Sequence, residues 1–248
     1  MDQLPFLARL LALSCILCAP LPALALDQAQ VEQGAARLYR ERIDELRRAH
    51  SLDTDSAFHA RVERILQPLL AQAARDYPVS AAWSWEWHTT PDGDENAFAM
   101  AGGKLLLSRA FTRRLELNDA ELAMLLAHEI AHAVLLHNLR EFEQALRLDP
   151  QWAARPFAEL EHAVDHDQGL MRRLAPLNQQ QEEEADREGL KLAWRAGWPA
   201  ARLARYFQKL SRNSYAPYLD SFAHPAPARR WQAARLLAEQ LEQPPGIR

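Results

Sequence analysis

The chain has 248 residues, 48% of them hydrophobic and 25% charged, which is long enough and apolar enough for one sizeable core. A net charge of -4 supplies no bulk attraction for polyanions and argues against nucleic acid as a partner. Fifteen prolines against eight glycines indicate stiff connections rather than glycine-rich loops.

The N-terminus reads as a targeting signal. Arg9 precedes the apolar run from Leu10 to Ala19, and Ala23-Leu24-Ala25 has the small-x-small pattern of a cleavage site. Pro20 and Pro22 interrupt the run before it reaches spanning length, so we expect a cleaved signal peptide over 1–25 and no transmembrane span in the mature chain. Both cysteines, Cys15 and Cys18, lie in that segment, and neither follows a lipobox. The mature chain would then have no disulfide, no thiolate ligand and no cysteine nucleophile.

Residues 26–78 carry two amphipathic patterns. Val31, Ala35, Leu38, Ile43 and Leu46 mark a first helix; a second begins near Thr54 or Asp55, buries Phe58, Val62, Ile65, Leu66 and Leu69, and stops at Pro78. The period then changes to two. Trp83, Trp85 and Trp87 alternate with Ser84 and Glu86, which predicts a half-buried strand whose tryptophans fill core. Pro91-Asp92-Gly93-Asp94 is a turn, after which Asn96–Met100 and Lys104–Leu107 read as two short strands joined at Gly102-Gly103. A small antiparallel sheet is expected.

Asn118 followed by Glu121 is a capping-box start, and Leu122, Leu125, Leu126, Ile130, Ala133 and Val134 carry an apolar stripe to about Leu136. Inside this helix stands His128-Glu129-Ile130-Ala131-His132. Two histidines four apart share one helical face and can reach one metal ion, with Glu129 beside a water on that ion. This is the minimal machinery of a zinc hydrolase. His137, five past His132, is rotated off that face and is not expected to be a ligand. Residues 139–177 read as charged helical pieces broken by Pro150, Pro156 and Pro176; His162 and His166 there fit a solvated surface better than a second metal site. A further helix begins near Gln179 and stops at Gly197-Trp198-Pro199. Its acidic run could be a solvated face. Alternatively Glu182 and Asp186, four apart on a face that Leu190 continues into the core, serve a metal: Glu182 completes a His-His-Glu site, its competitors Glu183 and Glu184 pointing elsewhere on the helix, and Asp186 accepts a hydrogen bond from a ligand histidine. A helix over about 199–211, an aromatic segment with Tyr215 and Tyr218, and His224-Pro225 leading into a last helix with Arg230 complete the chain. No internal repeat is present, and residues 26–248 are expected to form one domain, with helices over 26–78 and a catalytic core over 80–235.

Four stretches taken together resemble a known family. Asn96-Ala97-Phe98-Ala99 with Gly102-Gly103, His128-Glu129-Ile130-Ala131-His132, Glu182-Glu183-Glu184-Ala185-Asp186 with Gly189, and His224-Pro225 with Arg230 follow the order of the gluzincin metallopeptidases of the CAAX prenyl protease, HtpX and Oma1 type, which include soluble periplasmic BepA- and LoiP-like peptidases. The resemblance covers roughly residues 80 to 235. Ala101 stands where the family usually has proline, and neither a transmembrane pair nor a C-terminal repeat array is evident. The resemblance implies an α+β, predominantly helical zincin-type fold, with a small antiparallel sheet on the central HExxH helix. It also implies a zinc ion on His128, His132 and Glu182, Glu129 as general base, Asp186 behind the ligands, and a substrate strand over Asn96–Ala99. His224 is the candidate oxyanion donor or displaceable fourth ligand, with Arg230, Tyr215 or Tyr218 behind it. The expected activity is zinc metalloendopeptidase cleavage of unfolded or misassembled envelope polypeptides, in the periplasm and with possible envelope-assembly partners. The competing expectation is a peptidase-like chaperone or adaptor module; a hydrolase of non-peptide substrates fits an extended edge strand less well.

Overall fold

Asn118 starts the helix that centres the molecule. Its side-chain oxygen accepts from the backbone N–H groups of Ala120 and Glu121, and the Glu121 carboxylate accepts from the Asn118 N–H at 2.9 Å, so the capping box is formed in both directions. The computed structural model describes residues 26–93 and 96–243; the leader over 1–25, both cysteines and Asp94 of the predicted turn lie outside the described residues.

Elements in chain order are α1 (Gln28–Arg48), α2 (Ser56–Asp76), α3 (Pro78–Ala81), β1 (Glu86–Thr90), β2 (Ala97–Met100) and β3 (Lys104–Ser108). Then come α4 (Arg109–Arg114), the central α5 (Asp119–Val134), α6 (His137–Leu148), a 3-10 turn (Pro150–Ala154) and α7 (Phe157–His166). The chain ends with α8 (Gln168–Arg195), α9 (Ala200–Leu203), α10 (Arg205–Asn213) and α11 (Pro227–Glu242). Helix α5 is buried almost throughout. It packs with α2, α8 and the sheet into one core that includes Ile65, Leu69, Leu105, Leu107, Leu122 and Phe207. Segment 139–177 closes a second core against α1, with Phe142, Leu160, Val164 and Leu174 meeting Val31 and Ala35. His162 and His166 are exposed, as expected of a solvated face. Among the described residues no single helix is long and apolar enough to cross a membrane.

The α+β, mostly helical class stands, but the sheet is mixed rather than antiparallel. Strand order is β1-β3-β2; β2 runs antiparallel to β3 through the Gly102-Gly103 turn, whereas β1 runs parallel to β3. Both glycines have φ near +75°, which a side chain would make costly. The first strand also lies later than the tryptophan alternation predicts. Burial does alternate through 83–87, but Trp83 and Trp85 precede the strand because each has other work: the Trp83 indole donates to Glu32 on α1 at 2.9 Å, and Trp85 covers Gly103. Pro176 does not end a helix. It lies inside α8 with its ring on the exposed side, where water can satisfy the carbonyl it leaves unbonded.

Helix α8 crosses α5 closely because of Gly189. A Cβ there would stand 2.9 Å from the Ala127 carbonyl and the His128 Cα. Gly189→Ala must push the two backbones apart. We expect a loss of about 1–3 kcal/mol in urea unfolding, since the shift moves α8 away from the His128 backbone.

Candidate active site

Helical spacing brings His128 and His132 onto one face of α5, and their Nε2 atoms lie 3.2 Å apart. Across the α5–α8 contact, Glu182 sets Oε1 3.1 Å from His132 Nε2 and Oε2 3.6 Å from His128 Nε2. One donor atom from each of the three lies within 4.8 Å of the others. Of the competing carboxylates, Glu183 faces Arg229, and Glu184 is held by Arg140 at 2.5 Å. The α8 carboxylate that meets the histidines is therefore Glu182.

The surroundings of each ring decide whether this trio suits a metal. Asp186 Oδ1 is 2.9 Å from His128 Nδ1. A carboxylate there favours a proton on Nδ1 and a bare Nε2 lone pair turned toward Glu182. His132 Nδ1 is 2.9 Å from His137 Nδ1. Burial, with His132 and Arg140 nearby, pushes His137 down to about 3, so it is neutral and can accept. With a metal on its Nε2, His132 would carry its proton on Nδ1 and donate it to His137. Two bare imidazole nitrogens and a carboxylate, converging in a buried site, fit a zinc ion with a position left open.

His137 reaches this place because α5 does not continue. Leu136 adopts φ +57°, and α6 departs at 50° to α5. An extrapolated helix puts His137 off the ligand face; the break swings it onto the far side of His132. Behind it the Glu184 carboxylate lies 3.4 Å from His137 Nε2, and the Gln181 side chain donates to the His137 carbonyl at 3.0 Å. His137 is, as expected, not one of the three converging donors; its place behind His132 was not foreseen, and the only local signal was its proximity to the motif. His137→Phe is expected to weaken zinc binding by roughly 10- to 100-fold while leaving the far-ultraviolet helix signal unchanged, as read by chelator competition.

Arg230, expected behind His224 at the oxyanion, is committed to the α8 carboxylates instead. Its Nε and Nη2 donate to the two Asp186 oxygens at 2.7 and 2.6 Å, and Nη1 stands 3.1 Å from Glu182 Oε2. Burial alone would raise the Glu182 carboxyl, yet His128, His132 and Arg230 hold it well below the usual carboxylate range. Asp186 follows the same pattern: burial raises it, and Arg230 and His128 more than offset that. Tyr215 and Tyr218 are exposed, Tyr215 at the cleft rim. His224 also lines the cleft, with Nε2 3.8 Å from Glu182 Oε2 and more than half of its side chain exposed. Tyr206, which sequence reasoning did not single out, is buried and lines the same cleft.

Glu129 points from α5 toward the sheet, where its Oε2 accepts from the Ala99 N–H at 3.2 Å. Burial pushes its carboxyl above the usual range, opposed by His128 and His132. Strand β2 is the free edge of the sheet on this side. Asn96 bonds back to β3, its carbonyl accepting from the Ser108 N–H, so by alternation the backbone groups of Ala97 and Ala99 face the cleft. The side chains of Phe98 and Met100 pack away from it against α1 residues. Asn96 and Ala97 line a cleft of about 880 Å³ that also takes in His128, Glu129 and His224, and Ala97 and Ala99 line a smaller cavity of about 250 Å³ beside His128, His132 and Glu182.

Residues 56–238 match the model of peptidase family M48. The chain is 33% identical over 164 residues to the beta-barrel assembly-enhancing protease of Yersinia pestis, covering 60% of this chain and 34% of that protein. It is 31% identical over 160 residues to the protein of the same name from Escherichia coli K12, covering 59% and 33%. The mitochondrial metalloendopeptidase OMA1 of Saccharomyces cerevisiae is 27% identical over 187 residues, covering 68% and 53%. The chain thus spans about a third of the length of the first two relatives. With most of its residues inside the family match, the chain belongs to peptidase family M48, a family of metallopeptidases.

Proposed function

We propose that this chain is a zinc-dependent metalloendopeptidase that cleaves unfolded or misassembled polypeptides, with His128, His132 and Glu182 as the zinc ligands. The observation that carries the reading is Glu129, a half-buried carboxylate that stands beside the ligand trio and touches the free edge of β2. A module that only binds has no use for a proton acceptor between a metal site and a peptide-binding strand.

When bound, zinc supplies a Lewis acid that polarises the scissile carbonyl and lowers the pKa of a water to roughly 7. The chain's own residues do the rest. Ala97 and Ala99 offer backbone groups to an extended substrate, which pairs without regard to its side chains. Glu129 takes the proton from the attacking water and returns it to the leaving amine. The substrate backbone competes for the Ala99 N–H and so frees Glu129 as it docks. Asp186 and His137 hold the two ligand rings by their Nδ1 atoms, and Arg230 holds both α8 carboxylates in place. His224, which lines the cleft with Nε2 3.8 Å from Glu182, is the candidate to donate to the developing oxyanion.

We extend two further readings from the sequence and the relatives. Residues 1–25 act as a cleaved leader, with one catalytic domain following, and the mature protein works in the periplasm. The printed names of the bacterial relatives concern β-barrel assembly, which favours envelope proteins as substrates or partners here. Metal analysis of the purified mature chain, together with casein cleavage with and without a chelator, tests the central reading. Zinc-dependent turnover is expected; a zinc-loaded chain that binds unfolded protein without cutting it would favour the chaperone or adaptor alternative.

A further inference from the structure

Resting on that peptidase reading, we propose that the smaller cavity is a specificity subsite for a lysine or arginine side chain of the substrate, recognised by Glu141 together with Asn178. The cavity opens beside Ala99 and His132, next to the edge strand, and runs back to Asn138, Glu141 and Asn178. A side chain of a substrate paired with β2 would enter it directly.

Two acceptors at the far end have no cationic partner. Glu141 lies beside the Asn178 amide, and the Asn178 Oδ1 is buried and without a hydrogen-bond partner. Buried acceptors in that condition are uncommon and cost free energy until a donor arrives. Among the described residues, no lysine or arginine pairs with Glu141, in contrast to the neighbouring Glu184, which Arg140 neutralises. The charge closest in influence is another acid, Asp165. An ammonium or guanidinium group supplies what both groups lack, several N–H donors and a positive charge, on a stem long enough to pass Ala99. Burial also pushes Glu141 up to about 7, a penalty that a cationic partner relieves. The larger cleft differs in having apolar Phe111, Leu115, Leu125 and Leu210 in its lining and the cations Arg114 and Arg230 among its polar groups.

The test is cleavage of a peptide library by the zinc-loaded full chain, with cut sites read by mass spectrometry. Lysine and arginine should be enriched at one position near the scissile bond. For matched peptides with lysine or leucine there, the kcat/KM ratio should be on the order of tenfold or more. Glu141→Gln should bring the ratio toward one, and Glu141→Lys should shift the preference to acidic residues. If either variant fails to fold, Asn178→Leu carries the test, with a smaller ratio expected. No basic enrichment in the wild type, or enrichment that survives these substitutions, overturns the subsite while leaving the peptidase reading intact. Absence of cleavage by zinc-loaded wild type overturns both.

Discussion

Glu129→Gln lowers kcat/KM for an unfolded protein substrate by about 10²- to 10⁴-fold while zinc content stays at the wild-type level. The amide is nearly isosteric with the carboxylate, and its oxygen can still accept from the Ala99 N–H, so the strand contact at 3.2 Å survives. Glu129 is not one of the three converging donors, so the metal is retained. What the amide cannot do is take a proton. The effect should therefore fall on turnover, with little change in the affinity for a non-cleaved peptide measured by fluorescence. A Gln variant that cuts as fast as wild type removes Glu129 from the chemistry and with it the mechanism proposed above.

Arg230→Met should cost about 3–5 kcal/mol of stability, read from urea unfolding in the presence of a chelator. The guanidinium is 7% exposed and lies against Asp186 and Glu182, whose side chains are themselves only about a tenth exposed. Removing it leaves two buried carboxylates facing each other across the place where the cation stood, and neither can move into water without opening the α8–α11 contact. Saturating zinc should return part of the loss, because the ion takes up the charge of Glu182. Asp186→Asn in the same chain should return another part, since the pair is then removed as a unit. The pH dependence has a definite sign. The folded-state carboxyl of Asp186 lies below its ordinary value, so its contribution is present above about pH 4, the unfolded range, and is lost as pH falls through the folded value. Arg230→Met should flatten that acid limb. An unchanged midpoint and unchanged limb would mean the cluster is not what holds α8 and α11 together.

The chemistry-bearing residues were legible because their spacing matches the helical period. His128 and His132, like Glu182 and Asp186, are four residues apart, and a four-residue step returns to the same face of a helix. The cap at Asn118 and the glycine turn of the β2–β3 hairpin were legible for a similar reason: each depends on residues within a few positions of one another. Where the reading missed, the deciding contact was distant in the chain. The tryptophan alternation was real, but Trp83 and Trp85 answer to Glu32 and Gly103 rather than to a neighbouring strand. Pro176 looked like a break because an isolated helix has no reason to continue through it; packing on both sides of α8 supplies that reason.

Sequence alone therefore named a candidate donor set, Glu182 included by its helical spacing to Asp186, the helix that carries two of its members, and the residue beside them suited to move a proton. It could not decide that β1 lies parallel to β3, what holds Glu183 and Glu184 away from the histidines, or that Arg230 is committed to Asp186 and Glu182. It also could not show that His137 supports His132, since that depends on one left-handed residue, Leu136, which bends the chain between two helices. Periodicity reports which side chains share a face of one element. Which faces meet is set by close approach between elements far apart in the chain, here by the missing Cβ of Gly189 against the backbone of α5.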